Sequence, residues 1–275
     1  MTMKMQMQKF WHDTAASGTW SGYYDGPADA KTYNFFTRRD TVSRLLEDEG
    51  DLPRVLDVGC GSGDYKEIAD RHNGTFFGID YAPAMIRKAC ERFPGQGESS
   101  LFLVGSGAEL PYADDTFDVV MALGYIEYFT DPHAALAELQ RVIKPGGLLV
   151  LQGYKKDLFG ELDRFVFDPL RAVLRKIRGR TAQKAYLPPD WFDAKYNKGQ
   201  LDALCKPHGF TAERWLFNNF HVFPAFLTVR WPERYIRWSE KLNYGNTDRW
   251  RWMAVNYIAK YRLNKPAAAG KAQSA

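Results

Sequence analysis

The chain has 275 residues, of which 45% are hydrophobic and 25% charged, with a formal net charge of +4 and three cysteines. This length buries one substantial core and predicts one large domain with insertions; the composition excludes wholesale disorder, and so small a charge does not argue for nucleic acid. Cys60, Cys90 and Cys205 are dispersed with no CxxC pair, which predicts free thiols, no metal site and a reducing, cytoplasmic setting.

Residues 1–9 alternate Met and Gln with Lys and lack the apolar run of a targeting signal. No run of eighteen apolar residues occurs, so no membrane-spanning helix is expected. Residues 1–50 are aromatic-rich and end in a predicted helix over 33–47. Residues 54–58 form a short apolar run ending at Gly59, the signature of a buried strand. A helix over 64–73 and a strand over 75–79 follow. Pro83 opens a helix through 92, since proline in a first turn loses no needed N–H. Strands over 101–104 and 118–123 come next. Asp131-Pro132 then starts a helix with Ala135, Leu136, Leu139, Val142 and Ile143 on one face. Pro145-Gly146-Gly147 is read as a break before a fifth strand over 148–152. Strands alternating with helices predict right-handed βαβ units and a parallel sheet. Beyond it lie an insertion over 154–195, a helix over 198–206, a strand over 210–217, an aromatic stretch and a last strand over 254–261. The small, polar residues 263–275 read as a frayed tail.

The strongest chemical signal is Val55-Leu56-Asp57-Val58-Gly59-Cys60-Gly61-Ser62-Gly63. A strand enters a Gly-x-Gly-x-Gly turn and then a helix, so the backbone turns tightly and approaches a ligand closely. Alone, such a turn does not separate this site from one for NAD or flavin. Asp80 closes the second strand, where a carboxylate accepts both hydroxyls of a ribose or caps the helix behind Pro83. Gly107-Ala108-Glu109-Leu110-Pro111-Tyr112, then Asp114-Asp115-Thr116-Phe117-Asp118-Val119-Val120, then Lys144-Pro145-Gly146-Gly147 complete the pattern.

Over roughly residues 54–152 the chain therefore resembles the class I S-adenosylmethionine-dependent methyltransferases of the small-molecule type. The resemblance implies a Rossmann-like α/β sheet with flanking helices, an N-terminal lid (1–50) over a cofactor-binding core (51–153), an inserted cap (154–195) and a C-terminal part (196–262) that completes the sheet. It implies that Gly59, Cys60, Gly61 and Gly63 line the methionine end of S-adenosylmethionine, and that Asp57 holds its amino group. Asp80 would take the ribose, with Tyr81 and Met85 beside the adenine. Ser106, Gly107, Ala108 and Glu109 would cap the adenine edge, and Leu123-Gly124 would floor the sulfonium. Many relatives carry an aspartate where Ser106 stands, and a hydroxyl accepts more weakly than a carboxylate.

The sulfonium is already activated, so the protein must chiefly align the acceptor and exclude water; a base is needed only where the acceptor must lose a proton. Glu127 and Tyr125 after the fourth strand, His133, His208 and His221 are the candidates, with Glu127 and His221 preferred. The flanking aromatics predict a lipophilic or aromatic small-molecule acceptor, oxygen being the default atom, while a binding protein without turnover, an RNA methyltransferase and an NAD-linked oxidoreductase remain alternatives. Arg38 and Arg39 in the N-terminal segment could meet a carboxylate. Residues 158–180 interleave apolar residues with arginines, a pattern suited to a lid helix or to a membrane surface.

Overall fold

The computed structural model describes residues 9–10, 12–14, 16–17, 30–94, 100–129, 131–154, 163–167, 169–170, 196–220, 222, 230–244 and 249–265. Strands β1 (Arg54–Val58), β2 (Thr75–Asp80), β3 (Ser100–Val104), β4 (Phe117–Ala122) and β5 (Ile143–Tyr154) pair in parallel. Strands β6 (Phe210–Phe220) and β7 (Ala254–Leu263) extend the sheet antiparallel to β5, in the order β3-β2-β1-β4-β5-β7-β6. Among the described residues it is accompanied by helices α1 (Ala30–Leu46), α2 (Lys66–Arg71), α3 (Pro83–Arg92), α4 (Pro132–Val142), α5 (Lys198–Cys205) and α6 (Pro232–Asn243).

Both faces of the central strands are covered, which is why they read as continuous apolar runs rather than alternating ones. Leu56, Val120 and Leu149 face Ala135, Leu136 and Leu139 of α4 on one side. Val55, Val119 and Val150 face Val42, Leu45 and Leu46 of α1 on the other, with Ile68 of α2 beside them. The Asp131 side chain caps α4 by accepting from the His133 N–H at 3.0 Å, so the Asp-Pro start is satisfied as its sequence suggests.

Three expectations are corrected. The Lys144–Gly147 segment does not break the chain before β5. It is an irregularity inside the strand: Phe117 pairs with Ile143 and Val119 with Leu148, so the intervening residues loop out. Gly146 there has φ +77°, and Lys144 Nζ donates to Asp118 Oδ1 at 2.6 Å across the loop. The aromatic stretch also contains a helix, α6, that was not expected there. Its buried positions are Tyr235, Ser239 and Asn243, polar residues spaced four apart. The predicted 158–180 helix lies mostly outside the described residues; within it Phe165, Val166 and Leu170 are exposed. Of the tail expected over 263–275, Leu263 instead ends β7 and Asn264 and Lys265 donate to Thr211 Oγ1 and Asp115 Oδ1, while the residues beyond Lys265 lie outside the described ones.

Phe117 shows what secures the parallel half. It is fully buried, with ring centroids 5.2 Å from Phe77 and 4.9 Å from Tyr112, both edge-on. Phe117→Ala is expected to cost about 3–5 kcal/mol of unfolding free energy in urea titration, through lost burial and the cavity left behind. A loss below about 1 kcal/mol would show that this cluster does not carry the packing assigned to it.

Candidate active site

The turn after β1 is built by left-handed glycines and held by a carboxylate. Gly59 and Gly63 have φ of +79° and +78°, a region costly for residues with a Cβ. Asp80, at the end of β2, accepts from the Gly61 N–H at 2.9 Å and from the Ala82 N–H at 2.8 Å. One side chain thus ties the glycine turn to the start of α3. Asp80 is not the N-cap of α3, which is Ala82 with no side-chain cap bond, and each Asp80 oxygen keeps lone-pair capacity for a further donor such as a ribose hydroxyl.

Two more carboxylates lie beneath. Asp57 is 1% exposed, and its Oδ2 has no hydrogen-bond partner among the described residues. Asp64 is buried, accepts from Ser62 Oγ at 3.0 Å and pairs with Arg92. Burial raises the pKa of both, and Asp57 is pushed up further by the charges of Asp64 and Asp80. Arg38 of α1 opposes these shifts; it is buried and donates to Gln152 Oε1 at 3.0 Å. Arg38 offsets the burial of Asp57 only in part, and a ligand bearing an ammonium and a sulfonium adds positive charge there. The donor set therefore fits the methionine end of S-adenosylmethionine.

The remaining predicted residues take distinct places. Cys60 turns its thiol into the core against Gly78, spends its N–H on the Ile79 carbonyl at 3.1 Å and accepts from the Gly63 N–H at 3.0 Å through its own carbonyl, so it shapes the turn. Met85 is buried with Ala82 and Ala84, while Tyr81 is half-buried. Ser106 Oγ accepts from the Ala108 N–H at 3.3 Å, closing its own loop. Gly107 is indispensable there, since a Cβ would meet Val58 Cγ1 at 2.4 Å and Tyr125 Oη at 2.5 Å. Ala108 and Glu109 are exposed. Leu123 is buried, and Gly124 follows with φ +70°.

Glu127 is the unusual group. It sits in a 3-10 turn, Ile126–Tyr128, is 6% exposed, and neither carboxylate oxygen completes a hydrogen bond among the described residues. A Cβ on Gly124 would lie 3.6 Å from both Glu127 Oε1 and Arg38 Nη1, so the acid and the guanidinium flank the floor of the site. Burial lifts the Glu127 carboxyl to about 7, against the pull of its own N–H and of Arg38. Tyr125 is also buried and its hydroxyl is raised by burial. Two of the three candidate histidines are used elsewhere: His133 Nδ1 and His208 Nε2 lie 3.0 Å apart, joining the start of α4 to the turn after α5. His221 lies outside the described residues.

The sequence reading missed a row of amides at the C-terminal edge of the sheet. Asn218 on β6 pairs in register with Asn256 on β7, which pairs with Tyr154 on β5. Asn256 donates to Asn34 of α1 at 3.0 Å, whereas fully buried Asn218 has no partner for either amide atom among the described residues. Asn218-Asn219 inside an otherwise aromatic strand was the available signal.

Comparison with known proteins places this arrangement. A family model described as a methyltransferase domain matches residues 56–151. An O-methyltransferase of Aspergillus nomiae is 31% identical over 156 residues, 54% of this chain and 68% of that protein. The chain belongs to the class I S-adenosylmethionine-dependent methyltransferases. A demethylmenaquinone methyltransferase of Alkalihalophilus pseudofirmus is 29% identical over 181 residues, 63% of this chain and 75% of that one. Against three other curated relatives the aligned part spans about half of their length, 58%, 46% and 54%. A magnesium protoporphyrin IX methyltransferase of Synechocystis, solved with bound S-adenosylhomocysteine, superposes with a TM-score of 0.60 at 16% identity over 94% of this chain and 99% of that one, which establishes the shared methyltransferase fold.

Glu127 makes the stability of this methyltransferase depend on pH with a definite sign. Its folded pKa of about 7 exceeds the ordinary 4.5, so the folded state keeps a proton that the unfolded chain releases. The associated stability is present below the unfolded pKa and is lost as pH rises through about 7. In ligand-free protein, Glu127→Gln should therefore raise the unfolding free energy at pH 8 by about 1–3 kcal/mol and leave it nearly unchanged at pH 4. Equal Tm changes at both pH values would contradict the assigned shift.

Proposed function

We propose that this methyltransferase transfers a methyl group to an oxygen of a lipophilic or aromatic small molecule by in-line displacement, with Glu127 receiving the acceptor's proton. The observation that carries the reading is a buried carboxyl with no side-chain hydrogen-bond partner among the described residues, beside Gly124 at the end of β4 and poised near neutral pH. Bound S-adenosylmethionine supplies a methyl group already activated on a sulfonium. What the chain contributes is placement and charge. Asp57 and the glycine turn orient the methionine end, Asp80 the ribose, and the Gly107 loop the adenine. Leu123 and Gly124 form a floor, and α1 brings Arg38 to its side.

Glu127 takes the hydroxyl proton as the oxygen attacks, and the nearby Arg38 guanidinium stabilises the carboxylate and the oxygen as charge develops. A phenolic or enolic hydroxyl suits a carboxyl of this pKa, because such oxygens develop negative charge readily. The names of the relatives point to the same chemistry, one being an O-methyltransferase and another acting on a demethylated menaquinone. The amides of Asn218 and Asn256 favour an acceptor carrying a further neutral oxygen, since a buried unsatisfied amide is costly unless a ligand pairs it. The chain's own thiols and histidine pair take no part in this scheme.

Glu127→Gln is expected to lower kcat by about 10²–10⁴ with a phenolic acceptor and to abolish the rise in rate through neutral pH, with the affinity for S-adenosylhomocysteine changed little. Unaltered kcat with the same pH profile would remove Glu127 from the chemistry and leave alignment alone as the catalytic device.

A further inference from the structure

Helix α6 buries one side and leaves the opposite side uncovered among the described residues. Tyr235 Oη donates to Asn219 Oδ1 at 3.2 Å, Ser239 Oγ to the Phe220 carbonyl at 3.1 Å, and Asn243 Nδ2 to Tyr33 Oη at 2.9 Å. These three residues anchor the helix to the end of β6 and to α1. On the outer side Trp231, Arg234, Trp238 and Lys241 follow one another at spacings of three, four and three, which places them in one stripe along the helix axis. Trp231 is 42% and Trp238 53% exposed, and both cations are exposed. Glu233 and Glu240 fall about 80° and about 100° from the nearest member of the stripe, Lys241, at the helical angle per residue. Past the helix, Trp250 and Trp252 are again exposed and alternate with Arg249 and Arg251.

We propose that this tryptophan and cation stripe is a docking surface for an anionic phospholipid bilayer, placed at the rim of the acceptor site. Tryptophan rings are apolar in body and polar at the N–H, which suits headgroup depth, and each Lys or Arg near an anionic surface strengthens association by about fivefold. The position in the fold supplies the second argument. Tyr154 at the end of β5 pairs with Asn256 near the start of β7, and Phe220 at the end of β6 pairs with Ala254. The segment that α6 covers and Trp250–Met253 enters therefore lies at the C-terminal edge of the parallel strands, where Glu127 and the glycine turn also lie. A bilayer touching this face abuts the edge through which a lipophilic acceptor arrives.

Charge and geometry disfavour the other occupants. A second copy would bring an identical cationic stripe against this one. A nucleic acid would stack bases on open rings, yet cations already lie over Trp231, Trp238 and Trp250, at 5.7, 5.1 and 5.5 Å from the ring centroids. The surface is also distinct from residues 158–180, whose arginines first suggested a membrane contact.

The test is co-sedimentation of the full chain with phosphatidylcholine vesicles, with and without phosphatidylglycerol, at physiological salt. Wild type is expected to partition onto the anionic vesicles only. Arg234→Glu with Lys241→Glu should weaken partitioning by at least about tenfold, and Trp231→Ser with Trp238→Ser should remove the blue shift of tryptophan emission on vesicle addition. Both variants alter exposed side chains alone, so each should keep its wild-type Tm and its stabilisation by S-adenosylhomocysteine. That stabilisation separates failure of docking from failure of the methyltransferase reading. The proposal is overturned if wild type ignores the anionic lipid, or if both folded variants partition like wild type. It is equally overturned if sedimentation velocity shows a dimer that the tryptophan variant dissolves, or if a single-stranded oligonucleotide displaces the protein from vesicles.

Discussion

The site depends on how buried negative charge is managed around a single turn. Asp57, Asp64 and Asp80 converge beneath Gly59–Gly63, and each would be costly to ionise there without compensation. Arg92 answers Asp64, and the Gly61 and Ala82 N–H groups answer Asp80. Asp57 keeps an oxygen without a hydrogen-bond partner among the described residues. The protein thus maintains a local deficit of positive charge where a cationic ligand end belongs. The same residues set the backbone path: the two hydrogen bonds to Asp80 hold the glycine turn against β2, so electrostatics and geometry cannot be changed separately.

The sheet explains why the deficit is tolerated. Its central strands are buried on both faces, and Asp57 sits on β1 between two apolar layers. Unfolding would expose all of that surface, so the fold withstands a few kcal/mol of unfavourable desolvation at one turn. Arg38 brings α1 into the same balance, reaching Gln152 on β5 and the neighbourhood of Glu127. The N-terminal helix is therefore part of the site's electrostatics as well as of the layer that covers one face of the sheet.

The parallel half was legible because each element carried a local signature: apolar runs at Arg54–Val58 and Thr75–Asp80, proline at the first turns of α3 and α4, and glycines where the chain must turn left-handed. Glu127 stood out by its distance from the end of β4, although only burial distinguishes it from a surface acid. Helix α6 was hidden because its few apolar residues lie in an aromatic stretch and two of its buried positions, Ser239 and Asn243, are polar. The Lys144–Gly147 bulge read as a break because proline and glycine signal departure from regular structure without saying whether pairing resumes in the same strand. The amide row of Asn218 and Asn256 needed the register of β6 and β7, and pairing across distant strands is not written in local sequence.

The central claim is that the charge-deficient turn holds S-adenosylmethionine rather than a dinucleotide. Isothermal titration with S-adenosylmethionine and with NAD, on wild type and on Asp57→Asn, tests it most directly. The account predicts binding of S-adenosylmethionine alone to wild type and an affinity weakened by about tenfold or more in the variant, since Asp57 is the acid left for the ligand's positive charge. Tighter binding of NAD, or an Asp57→Asn variant that takes S-adenosylmethionine as wild type does, would contradict it.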